Sequence, residues 1–408
     1  MRRALILAIG FSCSVTAQEQ SPDLTKALNY LRDNHARHLD KQVQIAEVAA
    51  PTFQERERAT LMADEFRRVG LKDVEIDKQG NVLGWRPGSS PDTLVIAAHL
   101  DISFAPGVNV KVRKEGARWF GPGLADASRG LVNLLAVVEA MNEASLQTRR
   151  SLLLVANVGE EGLGDLNGVK YLFQESPHRG RLKAFICVDD PNLDGIITGG
   201  MGVKRYKVTV RGPGGHSYVN FGRPSAVHAI GRVVAQLSTL EVPDSPKTTY
   251  NVGRMGGGTV VNAIAEEAWI EVDLRSEDRI ALDRIEQALS QAVQRGVAEE
   301  NQQRAASKAE VAATIELIGN RPAGLTAPSD PLVVAALAAS KTMGRTPRLR
   351  MSSTDSSLPM SLGIPAIAVG WGGRSDNLHS LEEWFEPAGA WEGPQTLLLT
   401  ILNYDKMR

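Results

Sequence analysis

The chain has 408 residues, of which 43% are hydrophobic and 23% are charged, and its formal net charge is -1. This composition excludes a disordered or fibrous protein, and the length predicts two domains rather than one. No block of five or more basic residues occurs in the sequence, so the charge pattern predicts no nucleic-acid partner.

Residues 1–17 have the order of a secretory signal peptide. Two arginines follow Met1, an apolar run extends from Ala4 to Phe11, and small and polar residues lead to Ala17. This pattern predicts cleavage after Ala17 and an exported protein, periplasmic or secreted. No later stretch reaches the roughly 20 apolar residues of a membrane-spanning helix, so we expect no membrane span. The mature chain would keep only Cys187, which excludes an internal disulfide.

Helices and fully apolar runs alternate in residues 18–201. Apolar spacing predicts helices over Asp23–Val48, over Glu55–Val69 with Gly70 as its stop, and over Leu131–Met141. Runs that are apolar at every position predict strands buried on both faces, as in a mostly parallel sheet with helices on both faces. These runs are Leu94–Ala98, Ser151–Asn157, Ala184–Val188 and, near the C-terminus, Ala366–Val369.

The pattern changes between residues 202 and 320, where polar and apolar residues alternate. The predicted elements are the strand Lys204–Val210, the helix Ser225–Leu240, the strands Tyr250–Met255 and Ala268–Leu274, the helix Arg279–Glu300 and the strand Val311–Ile318. This β-α-β-β-α-β order is that of a ferredoxin-like α+β unit with one open sheet face. Because buried strands return after Pro322, we predict that residues 202–320 are inserted between two parts of one α/β domain, 18–201 and 321–408.

Acidic and imidazole side chains gather where the buried strands end. His99 and Asp101 follow the first of these strands, and the two-residue period of a strand sends both side chains to one side, so Asp101 can orient the imidazole. In open α/β sheets, ligands bind beyond the carboxyl ends of the strands. The other residues at this edge are Asp126 in a glycine-framed turn, Glu160 and Glu161, Asp189 and Asp190, and His379.

This set of residues is typical of a metal site. Nitrogen and oxygen ligands without cysteine suit zinc or manganese with open coordination positions. The adjacent carboxylates Glu160 and Glu161 repel each other unless a cation or a proton intervenes. The motif His-Glu-x-x-His of helix-borne zinc proteases is absent. Each residue alone also fits a structural role, so the prediction depends on their convergence at one edge.

In these motifs and their order along nearly the whole mature chain, the sequence resembles the di-zinc metallopeptidases that include peptidase T, glutamate carboxypeptidase, carnosinase-like dipeptidases and aminoacylase. The resemblance implies two divalent ions, zinc or else manganese or cobalt, with five ligands: His99, Asp126, Glu161, Asp189 and His379. It also implies that Asp126 bridges the ions, that Asp101 holds His99 and that Glu160 is the general base. This chain has Asp189-Asp190-Pro191 where those enzymes often have an acidic residue before Gly, so Asp190 is an alternative ligand.

Three residues of the inserted domain are candidates for substrate binding. The resemblance implies that His216, which follows a glycine pair, binds the scissile carbonyl or its oxyanion. Asn262 and Arg275 resemble residues that hold the substrate, often its carboxylate, which a guanidinium can bind through two parallel hydrogen bonds. A purely structural role is the alternative for both. The resemblance also implies a homodimer formed through this lid and dimerisation domain.

The function implied is that of an exported exopeptidase, most like an aminopeptidase or dipeptidase acting on short peptides. The stretches Gly159–Val169 and Arg211–Ser217 look closer to peptidase T-like members than to aminoacylases. A carboxypeptidase or an N-acyl amino acid amidohydrolase is the alternative within the same class. A metal-binding or peptide-binding protein without catalysis is the alternative from another class.

Overall fold

The structure, a computed structural model, describes residues 21–407. The predicted signal peptide lies outside this range, so export stays a prediction. Within residues 21–407, none of the helices combines the length and the apolar character that crossing a bilayer requires.

The helices and strands of the described residues follow in chain order. The helices are α1 (Pro22–Asp33), α2 (His35–Ala46), α3 (Arg56–Arg68), α4 (Ser128–Glu143), α5 (Asn167–Lys170), α6 (Ala226–Leu237), α7 (Arg279–Gln303), α8 (Pro331–Thr342), α9 (Ser357–Ser361) and α10 (Glu392–Lys406). The strands are β1 (Lys72–Ile76), β2 (Val82–Arg86), β3 (Ser90–His99), β4 (Arg113–Glu115), β5 (Arg118–Phe120), β6 (Arg150–Asn157), β7 (Leu182–Asp190), β8 (Gly195–Gly200), β9 (Gly202–Arg211), β10 (Gly215–His216), β11 (Thr248–Gly257), β12 (Ala263–Ile264), β13 (Glu267–Ser276), β14 (Ala312–Arg321), β15 (Gly324–Leu325), β16 (Arg348–Ser352), β17 (Ala366–Gly370), β18 (Arg374–Asp376) and β19 (Trp384–Glu386).

A nine-stranded sheet with the order β1-β2-β6-β3-β7-β17-β8-β15, in which β16 also pairs with β8, forms the centre of the larger unit. The four runs predicted as buried strands are its central parallel strands β6, β3, β7 and β17. Along β3, Leu94 and Ile96 enter one hydrophobic core, while Val95 and Ala97 enter another on the opposite face. This confirms the predicted α/β class. The sheet is mixed rather than mostly parallel, because β1, β2, β8 and β15 join its edges as antiparallel strands.

The prediction of one helix over Asp23–Val48 is wrong, because α1 and α2 are separate helices that meet at Asn34. The Asn34 side chain donates a hydrogen bond to the Tyr30 carbonyl at 3.0 Å. Such side-chain bonds to the backbone compete with the helical ladder, which makes asparagine a residue of helix ends. The predicted helix Glu55–Val69 corresponds to α3, and Gly70 follows it with φ at +88°.

The inserted unit is a four-stranded antiparallel sheet with the order β11-β13-β9-β14. Helices α6 and α7 pack on one face of this sheet, over the buried side chains of Tyr206, Val208 and Val210. The element order confirms the ferredoxin-like α+β prediction, and the unit lies between β8 and β15 of the larger sheet. The opposite face carries the half-buried Arg205 and Lys207, since strand residues alternate between faces.

Two smaller sheets position the loops of the candidate site. Strands β18, β19, β5 and β4 form a sheet that was not predicted, and the turn between β18 and β19 carries His379. The same sheet leads, through β5, into the turn that carries Asp126. A second pairing, of β10 with β12, brings the segments of His216 and Asn262 together, where the Ser217 backbone N–H donates to the Asn262 carbonyl at 3.0 Å.

Candidate active site

His99 lies at the end of β3 with 2% of its surface exposed. Its Nδ1 lies 3.0 Å from the backbone carbonyl of Asp101, and because a carbonyl only accepts, this nitrogen is the donor. A neutral His99 ring therefore presents the lone pair of Nε2 to the site, as a metal ligand requires. Burial lowers the pKa of His99, but the carboxylates of Asp101, Asp126 and Asp189 outweigh burial and raise this pKa well above its usual range.

Asp101 is fully buried beneath the loop that carries the two glutamates. Its carboxylate accepts hydrogen bonds from the backbone N–H groups of Glu160 and Glu161, each at 2.9 Å, and from the Thr52 hydroxyl at 2.9 Å. The Asp101 carboxylate is 3.6 Å from His99 Nδ1, so it holds the glutamate loop more directly than it holds the imidazole. Thr52 was not predicted, because it lies in an irregular segment far along the chain from Asp101.

The possible metal ligands form three groups of three residues. One group is His99, Glu160 and Glu161, and the other two groups share Asp126. His99 Nε2 lies 3.0 Å from Asp126 Oδ1 and 3.6 Å from Asp189 Oδ1. His379 Nε2 lies 2.9 Å from Asp126 Oδ2 and 2.9 Å from Glu161 Oε1. Within each group the ligand atoms are within 4.8 Å of one another. The structure therefore brings the five predicted ligands together, with one oxygen of Asp126 directed to each of the two groups that share it.

The negative charge at this edge is partly unbalanced. Burial raises the pKa of Asp189 to about 6, with help from the neighbouring carboxylates of Asp126 and Glu161. A further acid that was not predicted, Asp355, is fully buried nearby, and burial raises its pKa to about 7. The Asn157 amide donates to this carboxyl group at 2.7 Å. A concentration of carboxylates with two imidazoles is the donor chemistry that divalent ions such as zinc and manganese accept.

Asp189 and Asp190 point to different surroundings. Asp190 forms an ion pair with Arg350 and accepts the backbone N–H of Asn192 at 3.0 Å. It belongs to none of the three-residue ligand groups among residues 21–407, whereas Asp189 lies beside His99. The geometry thus favours Asp189 over the alternative ligand.

Glu160 has a partner that sequence analysis missed. Arg321, at the end of β14, donates from Nη1 to Glu160 Oε1 at 2.9 Å and from Nη2 to the Glu160 backbone carbonyl. Both side chains are buried, with 5% of each residue exposed. The predicted strand ended at Ile318, and only the longer strand seen here carries Arg321 into the site. Burial raises the pKa of Glu160 well above its usual range, although the Arg321 charge opposes this shift.

A cleft of about 360 Å³ lies above these ligands and is bordered by both units. The sheet of the inserted unit, whose strand β14 ends at Arg321 rather than at the predicted boundary of 320, lines it with three arginines, Arg205, Arg275 and Arg321. Arg275 Nε donates to one oxygen of Asp273 at 2.7 Å, and Arg205 Nε donates to the other at 3.0 Å. Among the described residues no partner contacts the terminal nitrogens of Arg275, so they are available to a ligand in the cleft.

The structure does not bring His216 or Asn262 into this cleft. Both residues are exposed, and His216 Nδ1 accepts the backbone N–H of Tyr218 at 3.2 Å. Of the three predicted substrate-binding residues, only Arg275 lines the cleft of its own chain.

The fold and the site together define a protein of the α/β class, with candidate ligand groups for divalent ions at the carboxyl ends of its parallel strands. The model of "Peptidase family M20/M25/M40" matches residues 95–403. The chain belongs to this family, which confirms the predicted resemblance and assigns it to the hydrolases of peptide or amide bonds.

The curated relatives are distant and the chain matches only part of their length. Succinyl-diaminopimelate desuccinylase of Corynebacterium glutamicum is 24% identical over 241 residues, which cover 57% of this chain and 64% of that protein. Carboxypeptidase G2 of Pseudomonas sp. is 25% identical over 203 residues, which cover 48% of this chain and 47% of that protein.

Solved structures share the fold over nearly the whole chain. Aminopeptidase PepT from Bacillus cereus has a TM-score of 0.73 at 20% identity, covering 91% of this chain and 99% of that chain. Human carnosine dipeptidase 1 has a TM-score of 0.71 at 12% identity, covering 94% of this chain and 100% of that chain. At these identities the likeness shows the fold alone.

Proposed function

We propose that this protein is an exopeptidase that hydrolyses amide bonds of short peptides with two divalent ions, most simply zinc. The observation that carries the proposal is the position of Asp126, whose two carboxylate oxygens belong to two different groups of ligands. A carboxylate between two ligand sets favours a pair of ions over one ion. Manganese and cobalt suit the same nitrogen and oxygen donors.

Each residue of the site has a role in this proposal. One ion would be held by His99, Asp126 and Asp189, and the other by Asp126, Glu161 and His379. When bound, the ions supply the positive charge that stabilises the substrate carbonyl oxygen as negative charge develops on it. Glu160 is the general base: its carboxylate accepts the proton of the attacking water and then donates it to the leaving amine nitrogen. Arg321 holds that carboxylate in place.

The pair of ions is tested by metal removal. Chelation should abolish hydrolysis, addition of Zn²⁺, Mn²⁺ or Co²⁺ should restore it, and titration of the metal-free protein should give two ions per chain. Full activity in protein shown to be metal-free contradicts the proposal. Bound ions without hydrolysis of any tested peptide, whichever metal is added, would instead assign the chain to the binding proteins without catalysis.

The arginines of the cleft support a second candidate, a carboxypeptidase or N-acyl amino acid amidohydrolase. Arg205 and Arg275 share the single charge of Asp273, which leaves one positive charge for a carboxylate on the substrate. The names of the relatives carboxypeptidase G2 and succinyl-diaminopimelate desuccinylase point the same way. A dipeptide also carries such a carboxylate, so this charge alone does not separate the candidates.

A panel of dipeptides separates them. Cleavage of N-blocked dipeptides favours the carboxypeptidase or amidohydrolase, and cleavage of C-amidated dipeptides favours an aminopeptidase. Cleavage restricted to dipeptides with both ends free makes the protein a dipeptidase.

We also propose that the protein is a homodimer formed through the inserted unit. Beside the exposed His216, the aromatic side chains of Tyr218 and Phe221 are 87% and 81% exposed, and Val261 next to Asn262 is fully exposed. A cluster of exposed apolar side chains favours contact with another protein surface. Sedimentation at several concentrations would test the dimer, and a monomer at micromolar concentration contradicts it.

Export is a further proposal, supported by the order of residues 1–17 alone. N-terminal sequencing of the mature protein from a bacterial host should begin after Ala17. Mature protein that keeps Met1 contradicts export by this route.

A further inference from the structure

We propose that Glu383 is a positioning residue that joins the Asp126 loop to the His379 loop and thereby sets the affinity of the site for both ions. This inference rests on the proposed metal-dependent function. Glu383 contacts neither the cleft nor any of the ligand atoms, so its effect would pass entirely through the backbone of the two loops.

The carboxylate of Glu383 is the anchor of the Asp126 loop. It accepts three backbone hydrogen bonds, from Gly123 at 3.0 Å, from Ala125 at 2.8 Å and from Asp126 itself at 3.2 Å. The Glu383 backbone carbonyl accepts a fourth, from the N–H of Gly121 at 3.1 Å. Glu383 is fully buried, so no water competes for these donors.

The same residue closes the turn that carries His379. Glu383 follows His379 by four residues in this turn, and its backbone N–H donates to the Ser380 carbonyl at 3.0 Å. His379 has a positive φ, at +62°, a conformation that a histidine keeps only where the surroundings enforce it, whereas asparagine tolerates the +56° of Asn377. On the other loop Ala127, next to Asp126, has φ at +79°. Glu383 thus connects two strained loops, each of which presents one ligand.

A carboxylate is required here for a chemical reason. Three N–H donors converge on two oxygens, Gly123 on one and Ala125 and Asp126 on the other. A glutamine of the same shape offers one oxygen, and its NH₂ group would face at least one backbone N–H without an acceptor. Because Asp126 belongs to the ligand groups of both proposed ions, a shift of its loop would lower the affinity for both ions together rather than for one alone.

The test is Glu383→Gln, with Glu382→Gln as the matched control. Glu382 is the adjacent residue, its side chain is 71% exposed, and its nearest charged partner is Arg113 at 3.9 Å. Zinc affinity of the metal-free proteins would be measured by competition with a chromophoric chelator. We expect Glu383→Gln to bind both ions about 10 to 100-fold more weakly, the usual effect of losing a residue that orients metal ligands, and Glu382→Gln to match the wild type.

The thermal midpoint of each metal-free protein separates positioning from a merely structural role. A structural role lowers that midpoint but leaves zinc affinity unchanged at temperatures where both proteins are folded, and this result would overturn the inference. If Glu383→Gln does not fold, Glu383→Asp replaces it, with a smaller loss of affinity in the same direction, and unchanged affinity there overturns it equally. If the wild type bound none of Zn²⁺, Mn²⁺ and Co²⁺, the proposed function itself would be rejected.

Discussion

At the scale of single residues, the adjacent glutamates differ in their partners rather than in their chemistry. Both backbone N–H groups are held by Asp101, which fixes the pair as a unit. The Glu161 carboxylate contacts the His379 ring, which is another candidate ligand. The Glu160 carboxylate instead forms an ion pair with Arg321 of the inserted unit. In the proposed mechanism, these different partners leave Glu161 to bind an ion and Glu160 to transfer protons, although the two residues are adjacent in the chain.

Glu160→Gln should separate these two roles. Glutamine keeps the size of the side chain but cannot take a proton from water, so we expect kcat to fall at least ~10²-fold with metal content nearly unchanged. Glu161→Gln should instead lower the metal content, as measured by elemental mass spectrometry. The opposite pattern in the two variants would reverse the assignment within the pair.

Arg321→Gln tests the partner of the general base. Without the guanidinium, Glu160 loses its ion pair at Oε1 and the bond at its own carbonyl, so the carboxylate is free to turn away from the attacking water. We expect kcat to fall by ~10 to 10²-fold, the scale of a small misplacement in a site, with zinc affinity retained. Arg348→Gln, an exposed arginine on β16, is the control. Activity equal to that of the wild type would remove Arg321 from the proposed mechanism.

At the scale of elements, the sequence predicts those whose burial is settled locally. The four central strands could be located because each is apolar on both faces, and the residues that follow them gather at one edge because parallel strands share a direction. The small sheet that carries His379 could not be located, since β18 and β19 have three residues each and no period to detect. The roles of Glu383 and Arg321 could not be predicted for another reason, because their partners lie 260 and 161 positions away along the chain.

The half-buried carboxylate of Glu139 links helix α4 to the N-terminal helices α2 and α3. The Glu139 carboxylate lies 2.7 Å from Nη2 of Arg37 and 3.1 Å from Nε2 of His38, both on α2. It also lies 2.9 Å from Nη1 of Arg68 on α3. Burial alone would raise the pKa of Glu139, but the hydrogen bonds from His38 and Arg68 and the charge of Arg37 lower it from 4.5 to about 2. The stabilisation is therefore complete above pH 4.5 and is lost as the pH falls through about 2.

Glu139→Gln should lower the free energy of unfolding at pH 7 by about 2 kcal/mol, a figure reduced for the partial exposure of the network. The difference between variant and wild type should shrink as the pH falls from 4.5 towards 2, in urea titrations at each pH. Glu143→Gln, one turn further along α4, removes an exposed pair with Lys26 and should change the free energy little. A difference that is constant across this pH range would show that Glu139 contributes packing alone.

At the scale of the whole molecule, the inserted unit is attached to the loop of the two glutamates at three points. Arg321 holds Glu160, Arg205 donates to the carbonyl of Gly162, and Asp165 accepts the backbone N–H of Asn320 at 2.8 Å. The residues that would bind the substrate and those that would bind the ions therefore keep a defined relation within one chain. His216 and Asn262 are the exceptions, because they belong to the same unit but lie outside this cleft.

The exposed position of His216 would be explained if this side chain enters the cleft of the second subunit of a dimer. The homodimer is our proposal, and a heterodimer experiment tests both the dimer and the exchange of this residue. Subunits with Glu160→Gln keep His216 but lack the base, and subunits with His216→Ala keep the base but lack the histidine. Each homodimer should be nearly inactive.

Mixing the two inactive proteins under conditions of subunit exchange should restore activity, because one cleft of each heterodimer would combine an intact Glu160 with an intact His216. Random exchange of equal amounts makes half of the dimers mixed, with one complete cleft of two, so we expect about a quarter of the wild-type rate. Exchange is followed independently by fluorescence transfer between labelled subunits. Exchange without recovery of the rate would place His216 outside the partner's cleft. Because His216 is in none of the ligand groups of the described residues, that result would leave the proposed metal site unaffected.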